Sequence, residues 1–146
     1  MPDDTAAWLL EGDSDERFAR VAKHLRGFDV AMVETGYRYG ELFWPGQDRN
    51  WDYAKYQVDK IRTAVANGAE RRPKRAASAQ ALEGALAEMD EAIAAKDLDQ
   101  FAKQFEVLTA TCNACHQTER VPFVVVRPPS VRTSPVGPPD TEASAR

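Results

Sequence analysis

The sequence predicts an all-α protein, an antiparallel up-down-up-down four-helix bundle followed by an extended, proline-rich C-terminal tail. Three observations carry this reading. Apolar residues recur at steps of three and four through four separate segments, which is the period of an amphipathic helix. Short connections bearing capping residues and helix breakers join those segments. No segment alternates apolar and polar residues as a half-buried strand would, apart from the apolar run VPFVVV at Val121–Val126, and there is no internal repeat.

The first helix is expected from about Asp15 to Phe43, with Phe18, Val21, Leu25, Phe28, Met32, Tyr39 and Phe43 along one face. It stops at Trp44-Pro45-Gly46, where proline cannot continue the ladder and glycine leaves it cheaply. Asn50 is an N-cap for the second helix, whose stripe runs Trp51, Ala54, Val58, Ile61 and Val65 and ends near Asn67-Gly68. The charged, proline-broken loop Glu70–Arg75 follows. From about Ser78 an alanine-rich third helix places Leu82, Leu86, Met89 and Ile93 on one face, alanine and leucine being strong helix formers. Asp97 caps the fourth, on which Leu98, Phe101, Phe105, Leu108, Cys112 and Cys115 form the apolar side. Six of the nine prolines fall in the last 25 residues, so the chain beyond Glu119 should be extended and, after about residue 135, disordered. The expected plan is an N-terminal extension over 1–14, a helical domain over 15–120 and a tail over 121–146.

Composition narrows the function classes. With 43% apolar and 29% charged residues the chain has a globular balance, and no stretch approaches the roughly 20 apolar residues of a membrane span. A formal charge of −4 argues against a dedicated nucleic-acid binder, which carries a basic balance or a basic face with interleaved aromatics. No nucleophile triad, phosphate loop or carboxylate pair at a telling spacing suggests an enzyme site. A carrier or binding protein is the expectation, with proteins or small molecules as partners.

The chemistry-bearing residues gather in TCNACHQTE, which holds both cysteines and one of the two histidines. A C-x-x-C-H run can be a redox dithiol, part of a zinc site, a covalent haem anchor, or two packed cysteines beside an incidental histidine. A thioredoxin-like dithiol needs its first cysteine at a helix N-terminus after a strand, and Cys112 is expected late in a helix. Structural zinc wants four ligands, and beyond Cys112, Cys115 and His116 only His24 and carboxylates remain. The haem reading uses all three residues. Positions i, i+3 and i+4 share one helix face, so two thioethers can hold a porphyrin edge while the next imidazole reaches the iron.

In that setting the sequence resembles the class II, four-helix c-type cytochromes, the cytochrome c′ family and its low-spin relatives, over about residues 15–120. In cytochromes c′ the motif continues as C-x-x-C-H-x-x-aromatic-Arg/Lys; Cys112, Cys115, His116 and Arg120 match it, and Glu119 stands where the aromatic residue is usual. GYRYGELFWPGQDRNWDYAKY and LTATCNACHQTE are also similar to a bacterial set of small four-helix cytochromes. The resemblance implies one covalent haem c on Cys112 and Cys115, His116 as proximal ligand, Arg120 and Phe28 at the haem, and single-electron transfer with redox proteins as partners, without substrate turnover. Haem is attached to this motif outside the bacterial cytoplasm, so a periplasmic location is expected. Met1-Pro-Asp-Asp-Thr lacks the basic start and apolar core of a secretion leader, which this reading therefore requires in addition.

Function then turns on the sixth position of the iron. A strong ligand there gives an electron carrier, whereas an open apolar pocket gives a binder of small gases such as NO or CO. Two side chains of the first helix are chemically able, Met32 and His24. At 100° per residue Met32 lies within about 40° of the apolar stripe's direction and His24 roughly 80° from its middle. Depth agrees: Met32 and His116 fall about 16 Å and about 27 Å from one end of the bundle, with side chains leaning toward each other, while His24 at about 28 Å leans away. Met32 is the expected sixth ligand, His24 and an open position the alternatives. Arg71, Arg72, Lys74 and Arg75 are candidates for propionates or a redox partner. VPFVVV is expected to fold back over the haem edge or to serve a homodimer. A haem-free helical interaction module is the remaining reading.

Overall fold

The structure, a computed structural model, describes residues 6–138, and among them all regular structure is helical. The helices are α1 (Ala7–Leu10), α2 (Ser14–Leu25), α3 (Phe28–Gln47), α4 (Trp51–Arg71), α5 (Ala76–Ala95) and α6 (Leu98–Thr118), with a 3₁₀ turn at Pro73–Arg75. α3 packs on α4, α4 on α5 and α5 on α6, and α3 returns to touch α6. No helix among the described residues is long and apolar enough to cross a membrane.

The continuous first helix expected over Asp15–Phe43 is instead two helices. α2 opens with a capping box in which the Glu16 amide donates to Asp13 Oδ1 at 2.9 Å and the Asp13 amide to Glu16 Oε2 at 3.0 Å. It ends at Arg26, whose φ of 61° leaves the helical region, followed by Gly27 in an extended conformation. Gly27 is buried, and a Cβ there would stand 3.1 Å from Arg72 Nε, so the missing side chain admits the guanidinium from the end of α4. The amphipathic pattern of α2 is real but its apolar face has no cover among the described residues. Phe18, Val21 and Leu25 are 73%, 38% and 55% exposed, and no residue of α2 is buried. Its partner is α1, where Arg17 and Arg20 donate to the free carbonyls of Leu10, Trp8 and Glu11.

From α3 onward the expected stripes supply most of the core, with Leu42 added to them and Phe28, Met32 and Phe43 only partly buried against it. Tyr39 and Leu42 of α3, Ala54, Val58, Ile61 and Val65 of α4, Leu82, Leu86, Met89 and Ile93 of α5, and Phe101, Phe105 and Leu108 of α6 bury together. An aromatic chain locks the end away from the cysteines. Phe105 meets Tyr39 at 4.7 Å and Phe43 at 5.1 Å between ring centres, and Phe101 meets Trp51 at 6.0 Å. Asn50 and Asp97 cap α4 and α6 as expected, accepting from Tyr53 N at 3.4 Å and Gln100 N at 3.0 Å. α3 continues through the buried Pro45 to Gln47, and α4 continues through Gly68 to Arg71 rather than stopping there. Gly68 stays helical because the helices meet at it: a Cβ would lie 2.6 Å from that of Ala31.

Beyond α6 the chain has neither helix nor strand as far as the described residues go, yet it is tied down. Arg132 donates to both carboxylate oxygens of Asp48, at 2.6 and 2.7 Å, and its guanidinium lies 4.9 Å from the centre of the Trp44 ring. Ser134 Oγ donates at 2.9 Å to Glu41, a buried carboxylate that also takes the Tyr53 hydroxyl at 2.7 Å. Burial and that carboxylate push the Tyr53 hydroxyl up to about 12. The disorder expected after about residue 135 lies, from residue 139 on, outside the described residues.

Gly46 of α3 faces Phe101, and a Cβ there would stand 2.0 Å from the ring. Gly46→Ala should therefore overpack this crossing and cost about 1–3 kcal/mol in urea or thermal unfolding. Phe18→Ser, on the open face of α2, should change the same measurement by less than about 0.5 kcal/mol.

Candidate functional site

Packing of Phe101, Phe105 and Leu108 turns one face of α6 inward, and the same face, continued two turns further, carries Cys112, Cys115 and His116. There the interior opens. Two adjoining hollows share Phe28, Met32, Cys115 and His116 in their walls. The inner one reaches Thr35, Val65, Leu82 and Cys112. The outer one, about 290 Å³, is bounded by Asp29, Arg75, Glu119, Val121 and Val124. That size stands at the lower edge of the range of small-molecule sites, and the deep wall is almost wholly apolar.

The histidine is held by the chain that follows it. α6 closes with Glu119 N donating to Cys115 O at 2.8 Å, and Arg120 turns left-handed at φ 62°. Val121 N then donates to His116 O at 2.9 Å, and a turn over Val121–Val124 closes at 3.0 Å. The reversal brings the Val124 carbonyl to 2.7 Å from His116 Nδ1. A carbonyl can only accept, so Nδ1 carries a proton, and in the neutral ring it is Nε2 that keeps its lone pair.

Glu119 joins the two helix ends that border the mouth. It is ion-paired with Arg75, and Ser78 Oγ donates to it at 2.5 Å. The carboxylate thus ties the start of α5 to the end of α6. Both thiols are unpaired and partly buried. Burial, then the neighbouring Cys115, pushes Cys112 up from 9.0 to about 11, and burial also raises Cys115. A dithiol built for exchange needs the opposite shift. Among the described residues no three His, Cys, Asp or Glu side chains converge closely enough to hold a metal ion by themselves.

Met32 and Phe28, from the first turns of α3, line the cleft with His116. His24 does not line it; its ring sits on α2, 4.5 Å from that of Trp8. Arg120 is exposed and serves as the turn residue, outside the cleft wall. Of the basic loop, Arg75 lines the mouth and Arg72 stands against Gly27. Sequence reasoning missed Asn113 and Ser78, singled out Val124 only as part of the VPFVVV run and not as a partner of His116, and treated Glu119 only as a departure from a motif. Their roles arise from a return of the chain and a junction of helix ends, neither of which has a periodic signature. Comparison with protein-family models, with curated proteins and with solved structures gives no match to this chain.

The raised Cys112 pKa has a definite sign. A thiol that is harder to ionise when folded contributes stability that is complete below the ordinary value of 9.0 and lost as pH rises toward about 11. With both thiols free, the chain should lose up to about 2 kcal/mol of unfolding free energy over that interval, and Cys112→Ala should flatten the dependence in urea titrations.

Proposed function

We propose that this chain is a periplasmic monohaem c-type cytochrome that transfers single electrons, built on an antiparallel up-down-up-down four-helix bundle of α3–α6. Cys112 and Cys115 hold the haem covalently, His116 is the proximal ligand and Met32 the sixth. The observation that carries this reading is the His116–Val124 hydrogen bond, which leaves Nε2 as the donor atom at an apolar cleft faced by Met32. Metal-binding histidines are commonly oriented in this way, by a carbonyl on the other ring nitrogen.

The residues present fit the group. Haem would bring most of the iron's ligands itself, so His116 and Met32 would suffice to hold it without a ligand cluster from the protein. The helical i, i+3 spacing presents both thiols to one edge of a flat ring, and their burial keeps them protonated and protected until they are used. Haem supplies a reversible one-electron iron couple. What the chain does is exclude water with Phe28, Val65 and Leu82, hold the imidazole by Val124, and offer a soft thioether that favours the reduced ion. Arg75 is the cation at the mouth suited to the propionates. Redox proteins are the partners in this reading, and a second copy of the chain is a further candidate because the apolar face of α2 is uncovered.

Protein made with a secretion leader should give a covalent pyridine haemochrome; its absence ends the reading in favour of a haem-free helical module. The reduced spectrum should not change with carbon monoxide, and Met32→Ala should create carbon monoxide binding and lower the midpoint potential. A rapid, large shift in the unmodified protein would instead identify a gas-binding protein of the cytochrome c′ type, with Phe28 and Met32 walling an open position.

A further inference from the structure

We propose that Asn113, the first variable residue of the C-x-x-C-H run, is a positioning residue for His116 and acts on it through the tail. The redox consequence rests on the function proposed above; the clamp itself does not.

The carbonyl that holds His116 belongs to a segment that little else holds. Phe123 is 79% exposed, Val124 45% and Val125 57%, so core packing does not fix this loop. Upstream, the chain leaves α6 through a left-handed residue and a single turn. Downstream, the first fixed point is Val126, which packs on the edge of the core and is gripped at both ends of its backbone. Asn113 Nδ2 donates to the Val126 carbonyl at 3.0 Å, and the Val126 amide donates to Asn113 Oδ1 at 2.8 Å. A carboxamide is the side-chain group that offers one donor and one acceptor side by side, as a backbone residue requires.

Asn113 stands three residues before His116, one turn away on neighbouring sides of α6. Gripping Val126 there leaves only Val125 between the clamp and Val124, too little chain for the carbonyl to wander from the imidazole. Released, an exposed loop would yield its hydrogen bond to water, and Nδ1 would lose its fixed acceptor. The anchor of Arg132 on Asp48 lies six residues beyond Val126, so the clamp screens His116 from events there.

Three variants separate the roles: Asn113→Ala loses both bonds, Asn113→Asp keeps the acceptor, and Arg132→Ala loosens the tail beyond the clamp. In the haem-free chain, above the pH at which imidazole is charged, side-chain nitrogen NMR of the unmodified protein should show the Nδ1–H tautomer of His116. Asn113→Ala should exchange the Val126 amide about tenfold faster, the effect of losing roughly one net hydrogen bond, and should populate the Nε2–H tautomer. Asn113→Asp should fall between, and Arg132→Ala should match the unmodified chain. In the haem-loaded protein Asn113→Ala should move the midpoint potential upward, since a weaker hydrogen bond to Nδ1 makes the imidazole a poorer donor to the oxidised ion. Faster Val126 exchange with an unchanged tautomer would overturn the positioning role, leaving Asn113 a tail anchor. An unchanged Val126 amide would overturn the clamp. Failure of haem to attach to the unmodified protein would overturn the proposed function, while the tautomer would still decide the clamp.

Discussion

Burial of Phe101, Phe105 and Leu108 against α3 and α5 sets the rotation of α6, and the cysteines and histidine inherit that rotation. A helix carries its side chains at a constant angular step, so once three large residues are committed to the interior the next inward positions are decided. Each of the three is nearly or wholly buried, worth about 1.5–3 kcal/mol in transfer free energy. The opposite wall is set in the same way. Tyr39 and Leu42 seat α3, and Phe28 and Met32 follow toward its start, so the walls of the cleft are continuations of the core.

The cleft opens where the core runs out. At the aromatic end, rings from α3, α4 and α6 interlock. At the other end the chain turns away at Arg26-Gly27, and α2 carries Phe18, Val21 and Leu25 off the core. Closure there is left to polar devices: the Arg75–Glu119–Ser78 junction and a tail held by side-chain hydrogen bonds. Such contacts are worth about 1 kcal/mol each and exchange with water more readily than packed rings.

Much of this was legible in the sequence. The stripes of the second, third and fourth expected helices are the buried faces of α4, α5 and α6, and the caps Asn50 and Asp97 mark true helix starts. Met32 and His24 do lie in different surroundings, but on two helices rather than the one over which their angle and depth were compared. The first helix shows where such reasoning stops. Its apolar period runs on through Gly27, and period reports only which residues could share a face, not whether a partner exists to cover it.

By itself, then, the sequence determined the helical class, most of the core, and the clustering of Cys112, Cys115 and His116 on one face, because each follows from the constant step of a helix. Only the tertiary structure decided that α2 parts from α3, that Glu119 bridges two helix ends, and that Val124 and Val126 of the tail reach back to His116 and Asn113 of the motif. Those are contacts between residues that one turn, loop or helix junction brings together, and their energies depend on distances that no local pattern encodes.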